Sequence, residues 1–76
     1  MANFSERLRE LRRKNRMTQE ALAKVIGVRQ DAISTYENGK FYPEVRNLLI
    51  IADYFDVSLD YLMGRTDTPE INHQDL

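Results

Sequence analysis

Four polar side chains in the segment 29–36 carry groups that hydrogen-bond to base edges: Gln30, Asp31, Ser34 and Thr35. The amide of Gln30 can pair with both N6 and N7 of adenine, and the methyl group of Thr35 can contact that of thymine. Asp31 can accept a hydrogen bond from N4 of cytosine, or it can position the neighbouring Arg29 instead. For Gln30 and Thr35 the alternative is a solvated surface group. If these four side chains share the outward face of one helix, such a polar face of small to medium side chains fits the major groove of DNA, which is about 12 Å wide.

A second group of side chains suits phosphate: Thr18, Gln19, Arg29 and Lys40. Thr18 and Gln19 stand at the predicted start of a helix, where the helix dipole attracts an anion and an amide can donate to a phosphate oxygen. Arg29 and Lys40 carry the positive charge that phosphates bind. The alternatives are that Gln19 only caps its helix and that the two cations are solvated.

The composition argues against several other classes of protein. There is no cysteine, so neither a disulfide framework nor a thiolate metal site is expected, and the single histidine, His73, cannot form a metal cluster alone. The sequence offers no nucleophile–base pair and no glycine-rich phosphate loop, which argues against an enzyme or a cofactor site. The acids Asp53, Asp56 and Asp60 suit helix capping or repulsion of DNA better than metal binding. The apolar runs are too short for a membrane span or a signal region, so we expect a soluble, cytoplasmic protein.

The charges divide between the two parts of the chain, although its net charge is only −1. Residues 1–46 hold ten basic and six acidic residues, a net charge of +4, whereas residues 47–76 hold one basic and six acidic residues, a net charge of −5. This asymmetry predicts a basic end that faces a polyanion and an acidic end that faces away. A dipolar surface without functional meaning is the alternative.

Apolar residues recur at helical spacing along residues 4–63, and the sequence shows no strand pattern. Phe4, Leu8 and Leu11 predict a first helix, for which Asn3 and Glu6 form a capping box. The second helix is predicted to begin after Thr18 and to end at Gly27. The third is predicted to begin near Arg29 and to end at Asn38-Gly39.

Two further helices are predicted in the acidic part of the chain. Pro43 suits the start of the fourth helix, whose expected buried stripe is Val45, Leu48, Leu49, Ala52 and Phe55. Ser58 is expected to cap a fifth helix that runs through Met63 and ends at Gly64. The predicted fold is all-α, a compact bundle of five short helices, with a domain at residues 1–64 and a flexible acidic tail at residues 65–76.

The second and third predicted helices flank a short turn that contains Gly27, which is the helix-turn-helix arrangement, at about residues 18–37. The motifs T-Q-E-A-L-A at 18–23, I-S-T-Y-E-N-G-K at 33–40 and V-S-L-D-Y-L at 57–62 resemble the Xre family of Cro- and phage-repressor-type helix-turn-helix domains. The resemblance covers roughly residues 4–64. It implies a lambda-repressor-like fold and sequence-specific binding of double-stranded DNA as a homodimer, usually by a transcriptional repressor.

The resemblance also implies roles for individual residues. It places Gln19, Gln30, Asp31 and Thr35 near DNA, and Asn38 and Lys40 near phosphates. In the resembled family a first-helix arginine pairs with the glutamate of the E-N-G-K motif, which here predicts an Arg12–Glu37 pair that orients Arg12 toward a phosphate. A solvated Glu37 is the alternative.

The fourth and fifth predicted helices carry more apolar residues than a core stripe needs: Ile50, Tyr54, Tyr61 and Met63. The family usually has polar residues at the positions of Ile50 and Tyr54. We expect these four side chains to hold the only sizeable spare apolar surface and to form a homodimer interface.

The sequence therefore predicts a DNA-binding transcriptional regulator, a repressor of an inverted-repeat operator. A prophage repressor, an antitoxin and a restriction-modification controller remain open within this class. A protein-interaction module that has lost DNA binding is the alternative from another class, and the basic charge of residues 1–46 argues against it.

Overall fold

A computed structural model describes residues 2–71 and contains five helices and, within that range, no strand. The helices are α1 (Phe4–Lys14), α2 (Gln19–Ile26), α3 (Gln30–Glu37), α4 (Val45–Phe55) and α5 (Leu59–Leu62). The predicted all-α fold is confirmed. No helix between residues 2 and 71 has the length and apolarity that a membrane crossing requires.

The helix ends follow the local signals in the sequence. The side chain of Asn3 accepts a hydrogen bond from the backbone of Glu6 at 3.0 Å, and the Glu6 carboxylate accepts one from the backbone of Asn3 at 3.3 Å. This is the predicted capping box. Thr18 and Ser58 accept from the backbone N–H three residues on, each at 3.0 Å, as expected for N-caps. Gly27 ends α2 with a φ of 85°.

Among the residues that the structure describes, one apolar core joins the five helices. Its buried members come from each helix and from the α4–α5 turn: Phe4, Leu8, Leu11, Leu22, Ala23, Ile26, Ile33, Leu48, Ile51, Ala52, Val57 and Leu62. Seven of these residues belong to α1, α2 and α3. Their close packing holds α3 in a fixed position against α1 and α2.

The expected stripe of α4 is wrong in part. Val45 and Leu49 are 67% and 47% exposed, whereas Ile51, which the prediction omits, is completely buried. The buried face consists of Leu48, Ile51 and Ala52, with Phe55 packed against it at half-exposure. This is the i, i+3, i+4, i+7 repeat of a helix, and Leu49 lies about 100° away from Leu48 around the axis. The start is also displaced, since α4 begins at Val45, two residues after Pro43.

The chain after α5 runs back along the molecule. The backbone N–H of Ser58 donates to the carbonyl of Pro69 at 2.9 Å, and Arg7 pairs with Asp67 at 3.3 Å. At Gly64 a β-carbon would collide with the carbonyl of Ala2, so this turn requires glycine for close backbone approach. The domain boundary at residue 64 and the flexible tail stay predictions. Residues 72–76, with His73 and the end of the predicted tail, lie outside the described residues.

Candidate nucleic-acid interface

The turn between α2 and α3 brings the starts of the two helices together. Gly27 adopts a left-handed conformation, and its N–H and that of Val28 both donate to the carbonyl of Ala23, at 2.8 and 3.0 Å. This geometry closes the end of α2 and redirects the chain into α3. Ala23 is 3% exposed, and the small side chain lets the two helices approach closely.

Five predicted DNA-contacting residues line one shallow depression between the starts of α2 and α3: Gln19, Arg29, Gln30, Asp31 and Ser34. Gln30 and Asp31 are exposed, and Ser34 and Thr35 are half-buried. Because the depression holds amide, guanidinium, carboxylate and hydroxyl groups, its chemistry is that of a hydrogen-bonding surface. The side chain of Gln30 has no hydrogen-bond partner among residues 2–71, which leaves its amide available to a ligand.

Asp31 and Thr35 make internal contacts on this surface. The Asp31 carboxylate lies 3.4 Å from Nε of Arg29, and both side chains are exposed. This contact agrees with the alternative in which Asp31 positions Arg29. The hydroxyl of Thr35 donates to the carbonyl of Asp31 at 2.8 Å, which engages its proton within the helix. A base contact by either residue stays a prediction.

The predicted Arg12–Glu37 pair is confirmed. Nε of Arg12 lies 2.6 Å from Oε2 of Glu37, and Nη2 donates to Oε1 at 2.9 Å, a bidentate arrangement. Nη1 of Arg12 donates to the carbonyl of Met17 at 2.9 Å, so the same guanidinium also fixes the chain just before α2. The Arg12 side chain is 12% exposed. Its contact with a phosphate stays a prediction.

Glu37 is a buried carboxylate held by several donors. Its side chain is 2% exposed, and Nε2 of Gln19 donates to Oε1 at 3.3 Å. Burial by itself raises the pKa of Glu37. The hydrogen bonds from Arg12 and Gln19, together with the charges of Arg12 and Arg9, lower the pKa by more than burial raises it, so the pKa of Glu37 lies below its usual value. The hydrogen bond to Glu37 likewise raises the pKa of Arg12, against the opposing effect of burial. Both groups are therefore charged at neutral pH.

Sequence reasoning missed two further arginines of α1. Nη2 of Arg9 donates to the backbone carbonyl of Glu37 at 2.8 Å. Arg7 is 4% exposed, stacks on the ring of Tyr61 with Cζ 3.8 Å from the ring centroid, and pairs with Asp67. Helical spacing could have indicated both residues, because residues three apart lie on the same face of a helix. Arg7 lies three residues after Phe4, on the apolar stripe of α1, and Arg9 lies three residues before Arg12.

The remaining phosphate candidates lie at helix ends. Thr18 accepts the capping hydrogen bond of α2, which leaves its own O–H free to donate. Asn38 is the exposed C-cap of α3. Lys40 is exposed and forms no ion pair within residues 2–71. Their contacts with phosphate stay predictions.

The four residues expected at the dimer interface differ in exposure. Tyr54 is 49% exposed, but Ile50, Tyr61 and Met63 are half-buried and pack against the core. The expectation that these four hold the only sizeable spare apolar surface is wrong, because the α3–α4 loop and α4 expose more: Phe41, Tyr42, Val45 and Leu49. The exposure of Leu49 follows from the rotation of α4, which places its side chain outside the buried face formed by Leu48, Ile51 and Ala52.

Within residues 2–71, no group of three histidine, cysteine, aspartate or glutamate side chains is placed to hold a metal ion. Asp53 and Asp56 are exposed on α4 and at its end, and Asp60 lies 3.8 Å from Arg65. His73 lies outside the described residues.

Comparisons with known proteins agree with this architecture. The Bacillus subtilis HTH-type transcriptional regulator YobD is 39% identical over 67 residues, which cover 88% of this chain and 60% of YobD. The P22 c2 repressor, solved in complex with a synthetic operator, superposes with a TM-score of 0.81 at 35% identity and covers 87% of this chain and 100% of that one. The restriction-modification controller protein C.AhdI from Aeromonas hydrophila superposes with a TM-score of 0.70 at 32% identity and covers 78% of this chain and 89% of that one.

The chain spans between 30% and 60% of the length of the first curated relatives it matches. A family model described as helix-turn-helix matches residues 8–62, from the middle of α1 to the end of α5. The chain belongs to the helix-turn-helix family, in its Xre and phage-repressor type.

Proposed function

We propose that this chain binds double-stranded DNA sequence-specifically, with α3 as the recognition helix in the major groove. The observation that carries the proposal is the exposed amide of Gln30 at the start of a helix whose other end is fixed by the Arg12–Glu37 pair. A base-contacting group must be held in place for its hydrogen bonds to discriminate between bases. The operator complex of the similar P22 c2 repressor supports this assignment.

Phosphate contacts are assigned to the ends of α2 and α3. Gln19 shares the depression with Gln30, and the exposed cations Arg29 and Lys40 lie before and after α3. In this arrangement the phosphate contacts on both sides of α3 set the position of the helix, and Gln30 selects the base. Arg12, Thr18 and Asn38 complete the proposed phosphate set.

The proposed biological role is repression of transcription from an inverted-repeat operator by a homodimer. One short recognition helix covers only a few base pairs, so useful specificity requires two half-sites about one helical turn apart. A two-fold axis through the α4–α5 region brings two recognition helices to the same side of the DNA. Restriction-modification control is the second candidate, supported by the similarity to C.AhdI. The DNA-binding role implies a cytoplasmic location and requires no cofactor or catalytic group.

Selection of bound fragments from random double-stranded DNA, followed by a salt titration on the selected sequence, tests the proposal. We expect a single motif with two-fold symmetry and an affinity that falls steeply as salt rises, because bound phosphates release counterions. An interaction module that has lost DNA binding would enrich no motif at any salt concentration, and that result would refute the proposal.

A further inference from the structure

At the carboxyl end of α3, the last carbonyl differs from the three before it in the donor that satisfies it. The last four carbonyls of a helix have no partner within the helix and need donors from elsewhere. At α3 three of them accept from the chain that follows: Ser34 from Asn38 at 3.0 Å, Tyr36 from Gly39 at 3.2 Å and Thr35 from Lys40 at 3.3 Å. No backbone N–H between residues 2 and 71 donates to the fourth carbonyl, that of Glu37.

Arg9 of α1 supplies the missing donor. Its Nη2 lies 2.8 Å from the Glu37 carbonyl oxygen, and its Nε lies 3.7 Å from the Glu37 carboxylate. The last turn of α3 contains no basic residue of its own, so Arg9 also provides the positive charge that the negative end of a helix dipole favours. One guanidinium from another helix therefore completes the end of α3.

We propose that Arg9 is a positioning residue for DNA recognition: it holds the backbone end of α3, whereas Arg12 holds the side chain of Glu37. The inference rests on the proposed function. Glu37 belongs to the last turn of an eight-residue helix, so loosening this turn loosens the end at which α3 is held against α1 and makes the position of its base-contacting residues less exact. The side chain of Arg9 is 40% exposed, but its Nη2 and Nε face the carbonyl and the carboxylate of Glu37. The proposal therefore assigns Arg9 no contact with a phosphate.

The test compares Arg9→Met with Arg13→Met. Methionine keeps an unbranched stem and removes the charge and the donors. Arg13 is an exposed residue one turn further along α1, and its side chain has no hydrogen bond or ion pair within residues 2–71, so its substitution is the control for loss of one charge from the same helix. Both variants and the wild type are measured at a temperature below their unfolding transitions. One measurement is DNA binding over a salt series, and the other is amide hydrogen exchange in the absence of DNA.

For Arg9→Met we expect the affinity for DNA to be about three- to tenfold lower than for Arg13→Met. This loss corresponds to the size of a cation's favourable interaction with the carboxyl end of a helix. The slope of affinity against salt should equal that of Arg13→Met, because no phosphate contact is lost. The amides of Asn38, Gly39 and Lys40 should exchange faster in Arg9→Met only, and Arg9→Lys should recover part of both effects. Faster exchange throughout the molecule would indicate general destabilisation and overturn the inference.

Two further outcomes would also overturn the positioning role. A salt slope lower by about one unit than that of Arg13→Met would make Arg9 a phosphate ligand. Equal exchange of the three reporter amides in wild type and Arg9→Met would show that Arg9 does not hold the end of α3. Failure of the proposed function is separate, since it would appear as a wild-type protein that binds no DNA at any salt concentration, while the exchange comparison needs no DNA.

Discussion

Gln30 is the side chain on which sequence preference depends in the proposed complex. It is exposed at the first position of α3. We expect Gln30→Ala to relax or change the base preference at one position of each half-site, at a cost of about 1–3 kcal/mol for the preferred base. Selection from random DNA with the variant measures this directly.

Lys40→Ala is the matched control for Gln30→Ala, because it removes an exposed cation at the other end of α3. It should weaken binding to all sequences alike and reduce the salt slope by about one unit. A selected motif that is the same for Gln30→Ala as for wild type would show that Gln30 contacts no base.

The buried carboxylate of Glu37 gives the molecule an acid-dependent contribution to stability. The pKa of Glu37 is lower in the folded state, so its stabilising effect is complete above the unfolded-state pKa of about 4.3 and is lost as the pH falls through the folded-state value. Glu37→Gln should lower the free energy of unfolding at pH 7 by about 1–3 kcal/mol, since the charge of Arg12 is then left without its partner. Urea unfolding of both proteins at pH 7 and over a series of decreasing pH values checks this.

The pH dependence provides the control for Glu37→Gln. The difference between the two proteins should shrink as the pH falls through the folded-state pKa of Glu37, because the wild-type carboxylate then becomes protonated and loses its charge as well. A difference that does not decrease anywhere in the pH series would assign the effect of the substitution to packing rather than to the ion pair.

Local signals predicted the helix ends well, but they did not fix the rotation of α4. Asn3, Thr18, Gly27 and Ser58 act through hydrogen bonds or backbone angles within a few residues, so each is visible in the sequence. The run Leu48–Ala52 is apolar at every position and provides no contrast between a buried and an exposed face. Which of those residues faces the core depends on partners from α2 and α5, and these become apparent only in the folded structure.

The rotation of α4 can be tested with two substitutions in the same helix. Ile51→Ala should lower the free energy of unfolding by about 2–4 kcal/mol, because Ile51 is fully buried and its removal leaves a cavity. Leu49→Ala should cost less than about 1 kcal/mol, because Leu49 is 47% exposed. Equal losses for the two variants in urea unfolding would contradict the observed rotation.

At the scale of the whole molecule, the distribution of charge along the chain is visible in the sequence, but only part of the internal charge pairing could be predicted from it. The motif of residues 33–40 and the first-helix arginine predicted the Arg12–Glu37 pair. The contacts of Arg7 with Tyr61 and Asp67 join positions more than fifty residues apart, and no local pattern specifies such a pairing. Arg7 and Arg9 are therefore counted among the basic residues of 1–46, but their contacts are internal. Arg7 packs on Tyr61, and Arg9 binds the end of α3.

The division of charge also bears on the proposed homodimer. Residues 47–76 carry a net charge of −5, so an interface on α4 and α5 brings two acidic regions together. Salt screens this repulsion, whereas it weakens contacts with phosphate. We therefore expect dimerisation to strengthen as salt rises, opposite to DNA binding by the same protein.

Tyr54→Asp is the appropriate test of that interface. Tyr54 is 49% exposed on α4, so a charge there should leave the fold intact, whereas Ile50 and Tyr61 pack against the core and their substitution could unfold the monomer. We expect Tyr54→Asp to sediment as a folded monomer at concentrations where wild type is a dimer, and to lose more affinity for a full operator than for a half-site. Val25→Asp, at a 37% exposed position of α2, is the control and should remain dimeric. A wild-type protein that is monomeric throughout a salt series, or a Tyr54→Asp protein that dimerises as well as wild type, would contradict the proposed interface.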